Sequence, residues 1–90
     1  MTKITMADTA RLMLSDNYKT RFIAEYWQTK IRYDRLHRIA VETEAGTCRF
    51  RPKCSLEMLN RQLAYMGNYL KCLEVRAEIE EIDLRVIPEE

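Results

Sequence analysis

Leu56, Leu59, Leu63, Met66, Leu70, Leu73 and Ala77 recur at alternating steps of three and four. On a helix that spacing draws one continuous apolar seam, the kind helices use to pack along one another. A second row on the same segment, Met58, Tyr65, Tyr69, Cys72 and Ile79, falls on a neighbouring face. A helix apolar on two faces needs two things to bury against. The rest of a short chain can cover one face; the other asks for a second copy or a ligand.

The first half of the chain carries a matching pattern. Phe22, Tyr26, Thr29, Tyr33, Leu36 and Ala40 step along one face, and Ile23, Trp27 and Ile31 add a second apolar row. Asn17 precedes this run as a cap and Gly46 follows it as a left-handed terminator. Ser55 caps the next run, with Glu57 in its first turn. Upstream, Thr5 and Asp8 form a capping box for a short helix whose apolar side would be Met6, Ala10 and Met13 or Leu14. The pattern predicts an all-α domain over residues 1–90: a short helix at about 5–14 and a long one at about 16–45. A loop at 46–54, a second long helix at about 55–81 and a tail at 82–90 complete it. Ile82 to Val86 alternates and is expected to be extended. The short loop makes the long helices an antiparallel hairpin, and the surplus face predicts a homo-oligomer. Gly67, inside the second long helix, is expected to let another backbone approach.

Two glycines and two prolines in 90 residues suit a few long helices rather than a many-turned β fold. Hydrophobic residues are 47% and charged residues 32%, too apolar for disorder. The net charge of +1 argues against a dedicated nucleic-acid binder, but the charge is unevenly placed. Residues 47–54 hold Arg49, Arg51 and Lys53 with no acid, while residues 74–90 hold seven acids against Arg76 and Arg85. The acidic end should lie beside Arg11, Lys19 and Arg21 in the hairpin. No run approaches the ~20 apolar residues of a membrane span, and the N-terminus lacks the apolar core of a signal peptide. A cytoplasmic protein with three reduced cysteines is expected.

Catalytic and metal signatures do not emerge. His37 is the sole histidine, and its spacing from Cys48 and Cys54 matches no usual zinc pattern. Cys72 is expected in the core as a small apolar residue. No phosphate loop, nucleophile elbow or carboxylate pair stands out, so neither enzymatic activity nor a cofactor is expected. The cations carry more information. Arg32, Arg35 and Arg38 follow an i, i+3 path beside Lys30. Guanidinium forks bind phosphate oxygens in pairs, and tyrosine faces stack on bases. The candidate ligand-binding residues are therefore Arg32, Tyr33, Arg35, Arg38, Arg49, Lys53, Tyr65 and Tyr69. The competing reading makes the aromatics core and the arginines a solvated face. Phe50, in the basic loop, is expected to fold back and plug the end of the bundle.

The run Asn17 to Arg38 resembles the opening of a small phage and prophage protein family first labelled from crAss-like phages. The likeness continues through Glu44 to Thr47, Cys54, Met66 to Leu70 and Leu73 to Glu80, and spans roughly residues 17–84. It implies an accessory protein of a bacterial virus, acting inside the host, and carries no binding residues across.

Three functions are compatible with these features. The leading one is an anti-defence protein that sequesters a small immune signalling nucleotide, cyclic oligonucleotide or cyclic ADP-ribose-like, without cleaving it. The alternative is a helical interaction module that inhibits a host defence protein. A weak nucleic-acid accessory using the basic loop is disfavoured by the near-neutral charge. No membrane partner is expected.

Overall fold

A computed structural model describes residues 3–89. It contains α1 (Met6–Leu12), α2 (Tyr18–Ala45) and α3 (Leu56–Glu80), with no strand among the described residues. The molecule measures 42 × 25 × 23 Å, the long dimension set by the two long helices. Local chemistry explains each boundary. The Thr5 hydroxyl accepts from the Asp8 N–H at 3.1 Å and the Asp8 carboxylate accepts from the Thr5 N–H at 3.0 Å. Led by the bond from the Thr5 backbone, these contacts hold the Asp8 carboxyl below its ordinary range. Asn17 Oδ1 accepts from the Lys19 N–H at 2.9 Å, and Ser55 Oγ accepts from the Met58 N–H at 3.1 Å. Gly46, at φ 78°, ends α2 in the left-handed region, where glycine has no Cβ to clash.

α2 and α3 run antiparallel. Tyr26 donates to the Glu74 carboxylate at 2.6 Å, and Tyr18 donates to Glu80 at 3.0 Å. Burial first, then the Glu74 bond, push the Tyr26 phenol up from its usual range. The main core joins Phe22, Ile23 and Tyr26 of α2 to Leu70, Leu73 and Ala77 of α3. Leu59 and Leu63 extend the α3 seam into buried positions nearer the loop. Gly67 faces a side chain rather than a second backbone: a Cβ there would lie 3.6 Å from Tyr33 Cε2.

α1 packs on α2 and not on α3. Its buried residues are Thr9 and Leu12; of the expected side, Met13 packs half-buried against the core that Leu12 enters and Met6 is half-buried, whereas Ala10 is exposed. The helix stops at Leu12, so Leu14 lies past the last turn and is 85% exposed. Thr9 tolerates burial because its hydroxyl donates to the Met6 carbonyl at 2.7 Å. Leu12 joins Ile4 and Ala24 in a second core bordered by Trp27, Ile31 and Ile87.

The tail is not extended. Glu81 caps α3 at φ 58°, and its successor's N–H reaches back to the Ala77 carbonyl at 2.8 Å. This reversal drops Ile82 into the main core. Val86 N–H then bonds the Asp83 carbonyl at 3.2 Å, closing a turn. Alternation in so short a segment served a turn that buries Ile82, Leu84 and Ile87, fully or in part, rather than a ladder. Glu81 is the one described non-glycine residue at positive φ. Glu81→Gly should therefore stabilise the fold by about 1 kcal/mol, read as a higher urea midpoint. An unchanged midpoint would mean the cap carries no strain.

Two expected core residues face water. Cys72 is exposed because it lies on the second α3 row, turned away from α2. Phe50 is 56% exposed and does not plug the bundle. The N–H groups of Thr47 and Cys48 both bond the Glu42 carbonyl, which folds the loop's start against α2 and leaves Phe50 beyond it. At the opposite end, the expected ionic clasp is replaced by a tyrosine. Tyr18 sits between Glu80 and Arg76, accepting from Arg76 Nη2 at 2.6 Å. Arg76 also lies over the Phe22 ring at 4.9 Å. Arg21 donates to the Ser15 carbonyl, and Arg11 pairs with Asp8 within α1.

Candidate functional site

Three steps along an α-helix turn a side chain back by about 60°. Arg32, Arg35 and Arg38 therefore fan across about 120° of the α2 surface instead of forming one stripe. Their surroundings differ accordingly. Arg38 is engaged by Glu42 at 2.8 Å, one turn on, as Lys30 is by Asp34 at 3.0 Å. Among the described residues, Arg32, Arg35, Arg49, Arg51 and Lys53 make no ion pair. All five are exposed, and all lie in the half of the hairpin nearer the loop.

The tyrosines divide in the same way. Tyr33 is half-buried over Gly67, stacked on His37 with ring centroids 6.1 Å apart, and flanked by the Lys30 ammonium at 5.6 Å. Its faces are occupied by its own neighbours. Tyr65 and Tyr69 are 68% and 44% exposed. The crossings of Tyr26 with Glu74 and of Tyr33 with Gly67 set the register between the helices. They put Tyr65 and Tyr69 level with Arg35 and Arg32. Counted at about 100° per residue, Arg32, Tyr65 and Tyr69 turn to the side of the hairpin that holds Tyr18 and Arg76, away from α1. The structure thus brings Arg32, Tyr65 and Tyr69 to one open face, with Arg35 about 60° further round α2 and turned away from α3. It sets Tyr33 and Arg38 on the other side, and leaves Arg49 and Lys53 on the loop.

A shallow cavity of about 380 Å³ opens on that other side, lined by His37, Ala40, Val41, Glu44, Ala45 and Asn60. Sequence spacing offered no signal for it, because Asn60 and His37 meet only through the hairpin register. A larger open groove, about 860 Å³, is walled by Glu74, Glu78, Glu81 and Asp83 beside the tail. Among the described residues no group of three His, Cys, Asp or Glu is placed to hold a metal ion. No helix there is long and apolar enough to cross a membrane.

These features define a small helical-hairpin protein with unpaired cations in its loop half and an open face that holds Arg32 and two exposed tyrosines. The Sequestin family model matches residues 16–79, which span the cap of α2 to the last turn of α3. The chain belongs to the Sequestin family, and α1 and the tail are additions outside the matched hairpin. No curated protein and no solved structure matches the chain.

Proposed function

We propose that this protein sequesters a small anionic ligand, a signalling nucleotide of cyclic oligonucleotide or cyclic ADP-ribose-like type, and releases it uncleaved. In the setting suggested by the phage-family resemblance, it would act as an anti-defence protein in the host cytoplasm. The observation that carries the reading is the exposed, unpaired guanidinium of Arg32 on the side that holds the exposed rings of Tyr65 and Tyr69, with Arg35, also exposed and unpaired, next to it round α2. Unpaired arginines can form two charge-assisted bonds to a phosphate, and an exposed ring can stack on a base. The family name is consistent with a sequestering role. Arg49 and Lys53 would add attraction from the loop, through a field that needs no fixed contact. Arg38 and Tyr33 serve the hairpin itself in this account.

Titration calorimetry against cyclic dinucleotides and cyclic ADP-ribose isomers tests it. Arg32→Ala and Arg35→Ala should each weaken binding about tenfold or more, whereas Arg38→Ala should weaken it less than threefold. Equal losses at all three positions would place the ligand elsewhere. The second reading, an inhibitor of a host defence protein, draws on the exposed row of Met58, Tyr65, Tyr69 and Ile79. Failure to bind any nucleotide, together with stoichiometric retention of one host defence protein, would favour it.

A further inference from the structure

α3 keeps a complete second seam in water. Met58, Gln62, Tyr65, Tyr69, Cys72, Arg76 and Ile79 alternate steps of four and three, and every one of them is exposed. Only α2 packs against α3 among the helices, so no element among the described residues covers that row. Met58, Tyr65, Tyr69 and Ile79 are large hydrophobic side chains left in water, Ile79 at 75%. Together they offer on the order of 500 Å² on one molecule, more than half of the ~800 Å² per partner of a standard interface.

The charge distribution selects the occupant and its direction. At the loop end, Arg49, Arg51 and Lys53 stand without an acid between residues 47 and 54. At the tail end, Glu80 is neutralised by Arg76 and Asp83 by Arg85, while Glu78 and Glu81 make no ion pair among the described residues. The hairpin is therefore polar along its length: residues 32–68, toward the loop, hold seven cations against four acids, and the rest of the chain holds eight cations against ten acids. Two copies side by side in the same direction would set like ends together. Two copies reversed set each basic loop near the other's acidic end, and a two-fold axis satisfies both pairs at once.

We propose that a second copy of this chain covers the exposed α3 row, the two α3 helices running antiparallel about a two-fold axis near Tyr69. Met58 of each copy then lies toward the Ile79 end of the other, over roughly 30 Å of helix. The inference stands whether or not the open face takes a nucleotide. If it does, the axis brings Arg32 and Tyr69 of both copies to the borders of one groove.

Light scattering and cross-linking test it on the full chain. The wild-type protein should have twice the 10.8 kDa chain mass at micromolar concentration. Ile79→Glu, four turns from Arg35 in register, should give a folded monomer, with helicity checked by circular dichroism. If that variant fails to fold, Met58→Glu at the other end of the row serves instead. Reversing the loop charges (Arg49→Glu, Arg51→Glu, Lys53→Glu) should weaken association at least tenfold. Direction is tested with two cysteine variants at the edge of the row, Arg61→Cys and Val75→Cys, made with Cys48, Cys54 and Cys72 replaced by serine. Mixed copies treated with a short bismaleimide should yield the 61–75 link between chains. Links of 61 to 61 and 75 to 75 would mean a parallel pair and overturn the proposal. A wild-type monomer at 100 µM, whether or not a host protein occupies the row, would overturn it too, as would an Ile79→Glu variant that associates normally. Nucleotide binding by a strict monomer would sink this inference while leaving the sequestration reading intact.

Discussion

Leu73→Ala is expected to cost roughly 3 kcal/mol and to lower Tm by roughly 15 °C. Leu73 is 1% exposed and packs among Phe22, Tyr26, Leu70 and Ala77, where α2 and α3 lie closest to the tail. Truncation removes three buried carbons and leaves a cavity between two helices that their caps hold in place, so the walls relax only in part. A small domain has a total stability of about 5–10 kcal/mol, which makes this loss a large fraction of it. A urea midpoint for Leu73→Ala within 1 kcal/mol of wild type would show that the interhelical core is less tightly filled than this packing requires.

Trp27→Ala is expected to lose a similar amount, about 3–4 kcal/mol, by a different route. Trp27 touches both cores: it packs against the cluster that includes Phe22, Tyr26 and Ile82, and against the cluster of Ile4, Leu12 and Ala24. Its indole N–H donates to the Leu84 carbonyl at 2.7 Å, and its ring meets Tyr26 edge-on at 5.2 Å. One side chain therefore ties α1, α2 and the tail. Hydrogen exchange should show the amides of α1 and residues 82–87 losing protection first, with the middle of α2 and α3 losing less. Trp27→Phe keeps most of the ring but not the donor, and should cost about 1 kcal/mol or somewhat more, as the Leu84 carbonyl is left without it. Uniform loss of protection along all three helices would show that α1 and the tail are integral to the hairpin rather than attached to it. Ligand affinity should survive Trp27→Phe, since Arg32, Tyr65 and Tyr69 lie on the opposite face.

How far the chain could be understood from its residues depended on what each signal constrains. Leu59, Leu63, Leu70, Leu73 and Ala77 lie buried where their spacing placed them, because a 3.6-residue period leaves one direction for such a row. Thr5, Asn17, Gly46 and Ser55 sit at the boundaries their chemistry favours. Periodicity does not say which of two apolar rows the rest of the chain will reach. Cys72 shares the heptad spacing of a core residue yet faces water, since α1 is too short and too far away to cover α3. Phe50 departs from its expected place for a related reason: an aromatic in a loop has no period, and the bonds from Thr47 and Cys48 to Glu42 set the direction of the loop. In the tail, Ile82 alternates as a strand residue would, but the reversal at Glu81 spends that pattern on the core.

The candidate site was legible as chemistry and less so as geometry. Arginines three apart look like a row in sequence but fan across the helix surface, so Arg38 parts from Arg32. Which tyrosines stay free depended on the hairpin register. Tyr33 is taken up by Gly67 and His37, whereas Tyr65 and Tyr69 fall on the uncovered row. Local spacing could not separate these cases, because the partners come from the other long helix.

Native mass spectrometry of the protein with a panel of cyclic oligonucleotides and cyclic ADP-ribose isomers tests the central claim most directly. The expected spectrum has discrete added masses that correspond to one nucleotide species, lost on heating as the unaltered ligand, and absent when Arg32 and Arg35 are both alanine. A spectrum with no added mass at ligand concentrations up to 1 mM (~4 kcal/mol of binding free energy), or one in which the ligand leaves cleaved, would contradict it.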